Sequence, residues 1–153
     1  MLLCRIACAS LLAAAATAQC NTVTFGNYGT TCSYFGQAAA ISGSWDATRC
    51  ELTIAFTVAR TCCNTFPSGH LLLLGAQPII PGIPHPLLVS GCLLSVDPIF
   101  VLALARTTMP QVQLTLPRLP PLALFAQGVN DYFTTIGMTH DLQSTDGLSI
   151  DVR

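Results

Sequence analysis

The sequence predicts an all-β chain: a single antiparallel β-sandwich, jelly-roll-like, of eight to ten strands, disulfide-stapled and placed after an N-terminal signal-peptide helix. Three observations predict it. Apolar and polar residues alternate at period two, most clearly from Glu51 to Ala59. Turn-forming Pro, Gly, Asn and Asp separate such runs at the spacing of roughly 8–12 residues found in sandwiches and barrels. Past the leader, no stretch shows the periodicity of an amphipathic helix.

The leader is residues 1 to 18, MLLCRIACASLLAAAATA. One arginine, Arg5, precedes a short apolar run, and Ala16-Thr17-Ala18 forms a small-residue cleavage site, the layout of a secretory signal peptide. The run is broken by Ser10 and is shorter than the roughly 20 apolar residues that span a bilayer. Cleavage after Ala18 makes Gln19 the new terminus. A lipid anchor on Cys20 is disfavoured, because Gln19 stands where a small residue is expected. Residues 19 to 153 then form one β-sandwich domain, large enough for one core but not two. The expected destination is outside the cell, the periplasm or the cell envelope.

Residues 22 to 28 and 38 to 44 are weak strand candidates. In ELTIAFTVA (51 to 59), Leu52, Ile54, Phe56 and Val58 share one face, which marks a half-buried strand. HLLLLGA (70 to 76) is apolar on both faces and reads as a central strand closed by Gly75. Four prolines between 78 and 86 make PIIPGIPHPLL a crossing loop or an edge, since proline gives no donor to a ladder. Cys92, Leu94 and Val96 alternate up to a turn at Asp97-Pro98. IFVLALA (99 to 105) reads as another buried strand, broken by Thr107 to Pro110. Val112, Leu114 and Leu116 alternate up to Pro117, and LALFAQG (122 to 128) follows Pro120-Pro121. A weak candidate covers 131 to 137. Asn130-Asp131 reads as a turn pair, and Thr145-Asp146-Gly147 as a turn that introduces Leu148, Ile150 and Val152. A transmembrane barrel would need longer alternating strands and aromatic girdles, whereas aromatics here are 7 % and prolines number ten.

Charged residues are 8 % of the chain, against about 25 % in typical soluble domains. Losing Arg5 with the leader takes the net charge from −1 to −2, and no lysine is present. Such a chain has no electrostatic footprint for nucleic acid and no basic patch for anionic membranes. Its surface suits neutral partners: glycans, other envelope proteins or copies of itself.

Six cysteines follow the leader: Cys20, Cys32, Cys50, Cys62, Cys63 and Cys92. An even count in an exported chain points to disulfides. If 51 to 59 is one continuous strand, Cys50 and Cys62 stand about 40 Å apart at ~3.3 Å per residue, too far to bond. The same distance separates Cys50 from Cys63, and a Cys62–Cys63 bond would close a strained ring. In the pairings that survive, Cys50, Cys62 and Cys63 each take a partner from Cys20, Cys32 and Cys92. By strand parity Cys62 faces the apolar side and Cys63 the polar side.

ARTCCNTFPSGHLLLLG (59 to 75) looks most like chemistry, with two cysteines seven residues before His70. A metal site there would need reduced thiolates and a fourth ligand, neither of which the context supplies. The stretch reads instead as a strand end, a proline-glycine turn and a buried strand, and no metal or cofactor is expected. His85 falls on the proline loop, while His70 and His140 cap strand ends. His140-Asp141 are neighbours and so project to opposite sides of a strand. Glu51 is the sole glutamate, and no carboxylate pair suits glycoside hydrolysis. Asp131, Asp141 and Asp146 fall in late loops where calcium could gather, although their spacing matches no EF-hand. Trp45, with Tyr28, Tyr34 or Tyr132, could offer a sugar-stacking platform; the competing expectation is a core tryptophan near a disulfide.

YGTTC (28 to 32), HLLLLGAQ (70 to 77), HPLLVSGCLLSVDP (85 to 98), LALFAQG and STDGLSIDV (144 to 152), with the proline-bounded strand at 111 to 117, together resemble a loose group of uncharacterised small exported all-β bacterial proteins. The resemblance spans most of the chain. It implies a small β-sandwich without an established activity and a bond between Cys32 and Cys92, which conflicts with the distance-based pairing. The function expected is non-catalytic: a structural or adhesive role at the cell envelope or outside the cell. A lectin-like glycan-binding module is the alternative, and a small secreted hydrolase a further one.

Overall fold

The computed structural model describes residues 20–59 and 64–153. The expected signal peptide, and Arg60, Cys62 and Cys63 with their expected facings, lie outside the described residues. The described chain is all-β, with twelve strands paired antiparallel in several sheets. They are β1 (Val23–Tyr28), β2 (Ser33–Tyr34), β3 (Gln37–Ala38), β4 (Ile41–Asp46), β5 (Glu51–Phe56) and β6 (Thr65–Gly75). Then follow β7 (Pro78–Pro84), β8 (Leu93–Val96), β9 (Phe100–Leu104), β10 (Gln111–Thr115), β11 (Leu122–Thr134) and β12 (Thr139–Val152).

The largest sheet has five strands in the order β1-β12-β11-β6-β9. A three-stranded sheet runs β10-β5-β4, and β2-β3 and β7-β8 form two-stranded ribbons. One apolar cluster joins the two larger sheets. Leu52, Ile54 and Phe56 of β5 and Ile41 of β4 meet Leu72 of β6, Ala126 of β11, Val23 of β1 and Leu148, Ile150 and Val152 of β12. The period-two pattern read in 51 to 59 is the inner face of the smaller sheet only as far as Phe56, where β5 ends; beyond it Val58 is half-buried and Ala59, expected on the polar face, is buried. Burying each such Leu or Ile contributes about 1.5–3 kcal/mol.

A second buried feature is polar. Gln127 of β11 donates to the carbonyls of Leu93 and Thr145, both at 2.8 Å, and accepts from the Ser95 amide at 2.9 Å. Gln143 of β12 donates to the carbonyls of Cys32 and Gln37, both at 3.0 Å. Asp146 accepts from the Ile41 amide at 3.0 Å and from Asn27 Nδ2 at 2.8 Å. Asn130 donates to the Thr57 carbonyl at 3.0 Å. These side chains sit on the long β11–β12 hairpin and hold five other segments against it. Paired this way, each escapes the roughly 1–3 kcal/mol that a buried unsatisfied polar group costs.

Three expected turns are strand instead, the proline-glycine turn at Pro67 to Gly69 falling inside β6. Asn130-Asp131 lies within β11, and Thr145-Asp146-Gly147 lies within the fourteen-residue β12. Near the last, Gln127 faces Gly147 while Val129 faces Ser144. Thr145 and Asp146 thus oppose Gly128 alone, a bulge that absorbs the turn-like residues without ending the strand. Asp131, Asp141 and Asp146 are consequently strand residues, not loop residues. The proline-rich stretch does pair, as β7 against β8, but only in a two-stranded ribbon. IFVLALA, expected to be buried, is mostly exposed: β9 is the last strand of the large sheet, with Phe100 66 % and Val101 55 % accessible.

Cys20 is bonded to Cys50, and Cys32 to Cys92. The first pair lies within the distance-based scheme. The second contradicts it, and is the bond that the resemblance implied. The scheme required Cys50, Cys62 and Cys63 to draw all three partners from the remaining cysteines. It could not foresee that the segment before β2 and the segment before β8 both dock on the hairpin, where Gln143 binds the Cys32 carbonyl and Gln127 and Ser144 bind the Leu93 carbonyl. Cys50 closes the turn after β4, in which Asp46 Oδ1 accepts from the amide and hydroxyl of Thr48 at 2.9 and 2.6 Å.

Aromatic rings lie over backbone at three glycines: Phe25 over Gly43, Phe56 over Gly128 and Tyr28 over Gly147. A methyl group at Gly128 would sit 2.7–3.0 Å from the Phe56 ring, which is itself core and cannot retreat. Gly128→Ala is expected to destabilise the fold by about 1–3 kcal/mol, measured by denaturant unfolding. Replacing Cys32 and Cys92 together by Ser opens a crosslink between residues sixty apart. The expected loss is about 2–4 kcal/mol in the same assay.

Candidate functional site at the Ser68 bulge

A group of chemically capable side chains forms where β6, β11 and β12 run side by side. Asp131 faces Gly69 and Tyr132 faces Pro67, so Ser68 is an extra residue bulged out of β6. Bulges re-aim side chains, and here the Ser68 hydroxyl donates to Asp131 Oδ2 at 2.6 Å. On the other side of β11, Asp131 faces Leu142 in register. His140 is two residues from Leu142 and so shares the Asp131 face. Its Nδ1 lies 2.9 Å and 3.1 Å from the two Asp131 carboxylate oxygens. Phe133, directly opposite His140, holds the imidazole with ring centroids 5.2 Å apart.

A cleft of about 520 Å³ opens here, lined by Phe66, Pro67, Ser68, Arg106, Phe133 and His140. Arg106 follows β9 and makes no ion pair among the described residues. Asp131 is the hub of the group, taking one donor from each side. Ser68 therefore gives its proton to a carboxylate and not to an imidazole. Nucleophilic catalysis needs the serine bonded to the base and the base oriented by the acid; in this wiring the acid stands between them. The cleft presents a guanidinium and an outward imidazole edge beside two phenylalanine rings.

His140 was expected to cap a strand end, and it does sit at the start of β12. His70 does not: it lies in the middle of β6, 1 % accessible, with Nδ1 2.9 Å from Asn130 Oδ1 and Nε2 2.9 Å from the Thr107 carbonyl. Both nitrogens tie strands and a loop together. The partner of His140 is Asp131, not its neighbour Asp141, whose carboxylate accepts from the Tyr34 hydroxyl at 2.6 Å. The sequence signal that bears on this is the turn around Gly137, which has φ +89°. It centres the hairpin and so sets which residues face each other.

The aromatic residues considered for sugar stacking are dispersed. Trp45 packs half-buried against the apolar core, with its Nε1 buried and unpartnered among the described residues. Tyr28 donates to the Ser95 carbonyl at 3.0 Å and meets Phe125 edge-on at 5.8 Å. Tyr34 stacks on Tyr132 at 5.0 Å, but Tyr132 is 0 % accessible, donating to Gln143 Oε1 at 3.1 Å and accepting from the Ala59 amide at 2.8 Å.

Burial pushes the Tyr28 phenol up to about 12. Burial, and then the neighbouring Asp141 carboxylate, take Tyr34 to about 12. Tyr132 is raised by burial, partly offset by hydrogen bonds from Ala59 and Asn130. These are all the tyrosines in the chain. Ultraviolet titration of the folded protein is expected to show little phenolate near pH 10, where the denatured chain is at its midpoint. Because the folded values are raised, the stability tied to the neutral phenols of Tyr28 and Tyr34 is complete below about pH 10 and is lost as pH rises through about 12. No protein-family model, curated protein or solved structure matches this chain.

Proposed function

We propose that the chain is an exported, non-catalytic, jelly-roll-like β-sandwich protein with a structural or adhesive role at the cell envelope or outside the cell. The observation that carries this reading is the amount of large apolar side chain left on the outside. Ile80, Leu87, Ile99, Phe100, Met109, Ile136 and Met138 are each at least 63 % accessible. Exposed apolar residues scattered singly are ordinary, but contiguous ones mark sites of association. Here Ile99 to Leu102 are consecutive, on a chain with few charges to keep surfaces apart.

Other features support the reading. An apolar cluster drawing on two sheets is what a sandwich would require. Two disulfides suit an oxidising compartment. The Ser68–Asp131–His140 wiring lacks the serine-to-imidazole bond of an activated nucleophile. The resemblance to small exported bacterial proteins adds the expected compartment and source.

The test is expression of the full chain with its own leader in a bacterial host, followed by fractionation and attachment of the exported product to beads. Export with both disulfides formed is expected, and the beads are expected to cluster or bind cell envelopes, with loss of clustering after reduction and unfolding. Retention in the cytoplasm with free thiols, or beads that remain dispersed and bind nothing, would overturn the reading.

A further inference from the structure

β9 is the outer strand of the five-stranded sheet, paired to β6 on one side and to no described strand on the other. Edge strands present unpaired backbone groups, and soluble proteins usually blunt them with charges, prolines or bulges. None of these lies within β9, whose sequence is FVLAL. Its register with β6 is unbroken, from Leu104 opposite His70 to Phe100 opposite Leu74. Phe100, Leu102 and Leu104 share the face of buried Leu72, while Val101 and Ala103 share the opposite face with Leu71 and Leu73.

The charges nearest this edge are placed unequally. Asp97 precedes β9, Arg106 follows it, and residues 98 to 105 carry none. Both are exposed, and neither forms an ion pair among the described residues. Their placement selects a partner. A second copy laid antiparallel along β9 brings the acidic end of each strand to the basic end of the other, whereas a parallel copy would set like charges together.

We infer that β9 pairs antiparallel with β9 of a second copy of this chain, about a twofold axis normal to the sheet, making one continuous ten-stranded sheet. This deepens the structural and adhesive reading, on which it rests. Such an axis keeps each face on its own side, so residues opposite one another must share parity. Centred on Leu102, the pairing sets Leu102 against Leu102, Phe100 against Leu104 and Val101 against Ala103. Every side chain then meets an apolar partner on its own face, and the ends place Asp97 near the partner's Arg106.

The exported protein, disulfides intact, is measured by light scattering across a range of concentrations, with circular dichroism to verify folding of each variant. Wild type is expected to dimerise, and Val101→Lys, at an exposed position, to be monomeric at the same concentrations. Asp97→Arg and Arg106→Asp are each expected to weaken the dimer about tenfold, through two opposed like-charge contacts. The double reversal is expected to restore it, since the two residues stand at opposite ends of a strand and can meet only between copies. A strictly monomeric wild type overturns the proposal. Self-association that survives Val101→Lys overturns the β9 interface while leaving an adhesive role by another surface. Failure of the double reversal to rescue overturns the antiparallel arrangement.

Discussion

The rest of the fold depends on the hydrogen-bonding capacity buried along the β11–β12 hairpin. An amide or carboxylate taken out of water without a partner destabilises a fold by more than one ordinary hydrogen bond contributes. Gln127, Asn130, Gln143 and Asp146 are all shielded from solvent, so each dictates where a carbonyl or amide must stand. The partners come from the Cys32 and Leu93 segments, Asn27 of β1, the start of β4 and Thr57 just after β5. Apolar contact alone would let these segments slide; directional bonds fix their positions. The Cys32–Cys92 bond then joins two segments that the hairpin already holds.

The same seam explains why the sequence was legible in one half and misleading in the other. Where burial is apolar, the pattern is open to inspection: Leu52, Ile54 and Phe56 alternate in sequence and in the structure alike. Where burial is polar, composition points the wrong way. Thr145, Asp146 and Gly147 are residues a turn would choose, and only the bulge opposite Gly128, with acceptors and donors arriving from remote segments, keeps them in a strand. The error in β9 is the mirror image. An apolar run suggests burial, yet solvent access is set by the strand's place in the sheet order, which no local pattern records.

The cleft beside Ser68 was beyond local reading for a related reason. Asp131 and His140 are nine residues apart and Ser68 is sixty-three from Asp131, on three different strands, and they meet because of two registers: the β11–β12 pairing and the one-residue excess in β6. A serine between Pro67 and Gly69 reads as turn chemistry. Only the pairing reveals that the excess residue is Ser68, and that it aims at Asp131. Strand parity alone sets the neighbour Asp141 aside as a partner of His140, but only cross-strand geometry selects Asp131.

The two crosslinks overlap along the chain, one joining residues 20 and 50 and the other 32 and 92. Together they close two covalent rings that share residues 32 to 50. A protease that severs any one peptide bond between Cys20 and Cys92 leaves both products attached through at least one sulfur bridge. Such a chain tolerates a nick without shedding a fragment, and the cut ends stay close to where the hairpin can hold them. Damage to this part of the chain would then show first as a change under reducing conditions and not as a loss of mass.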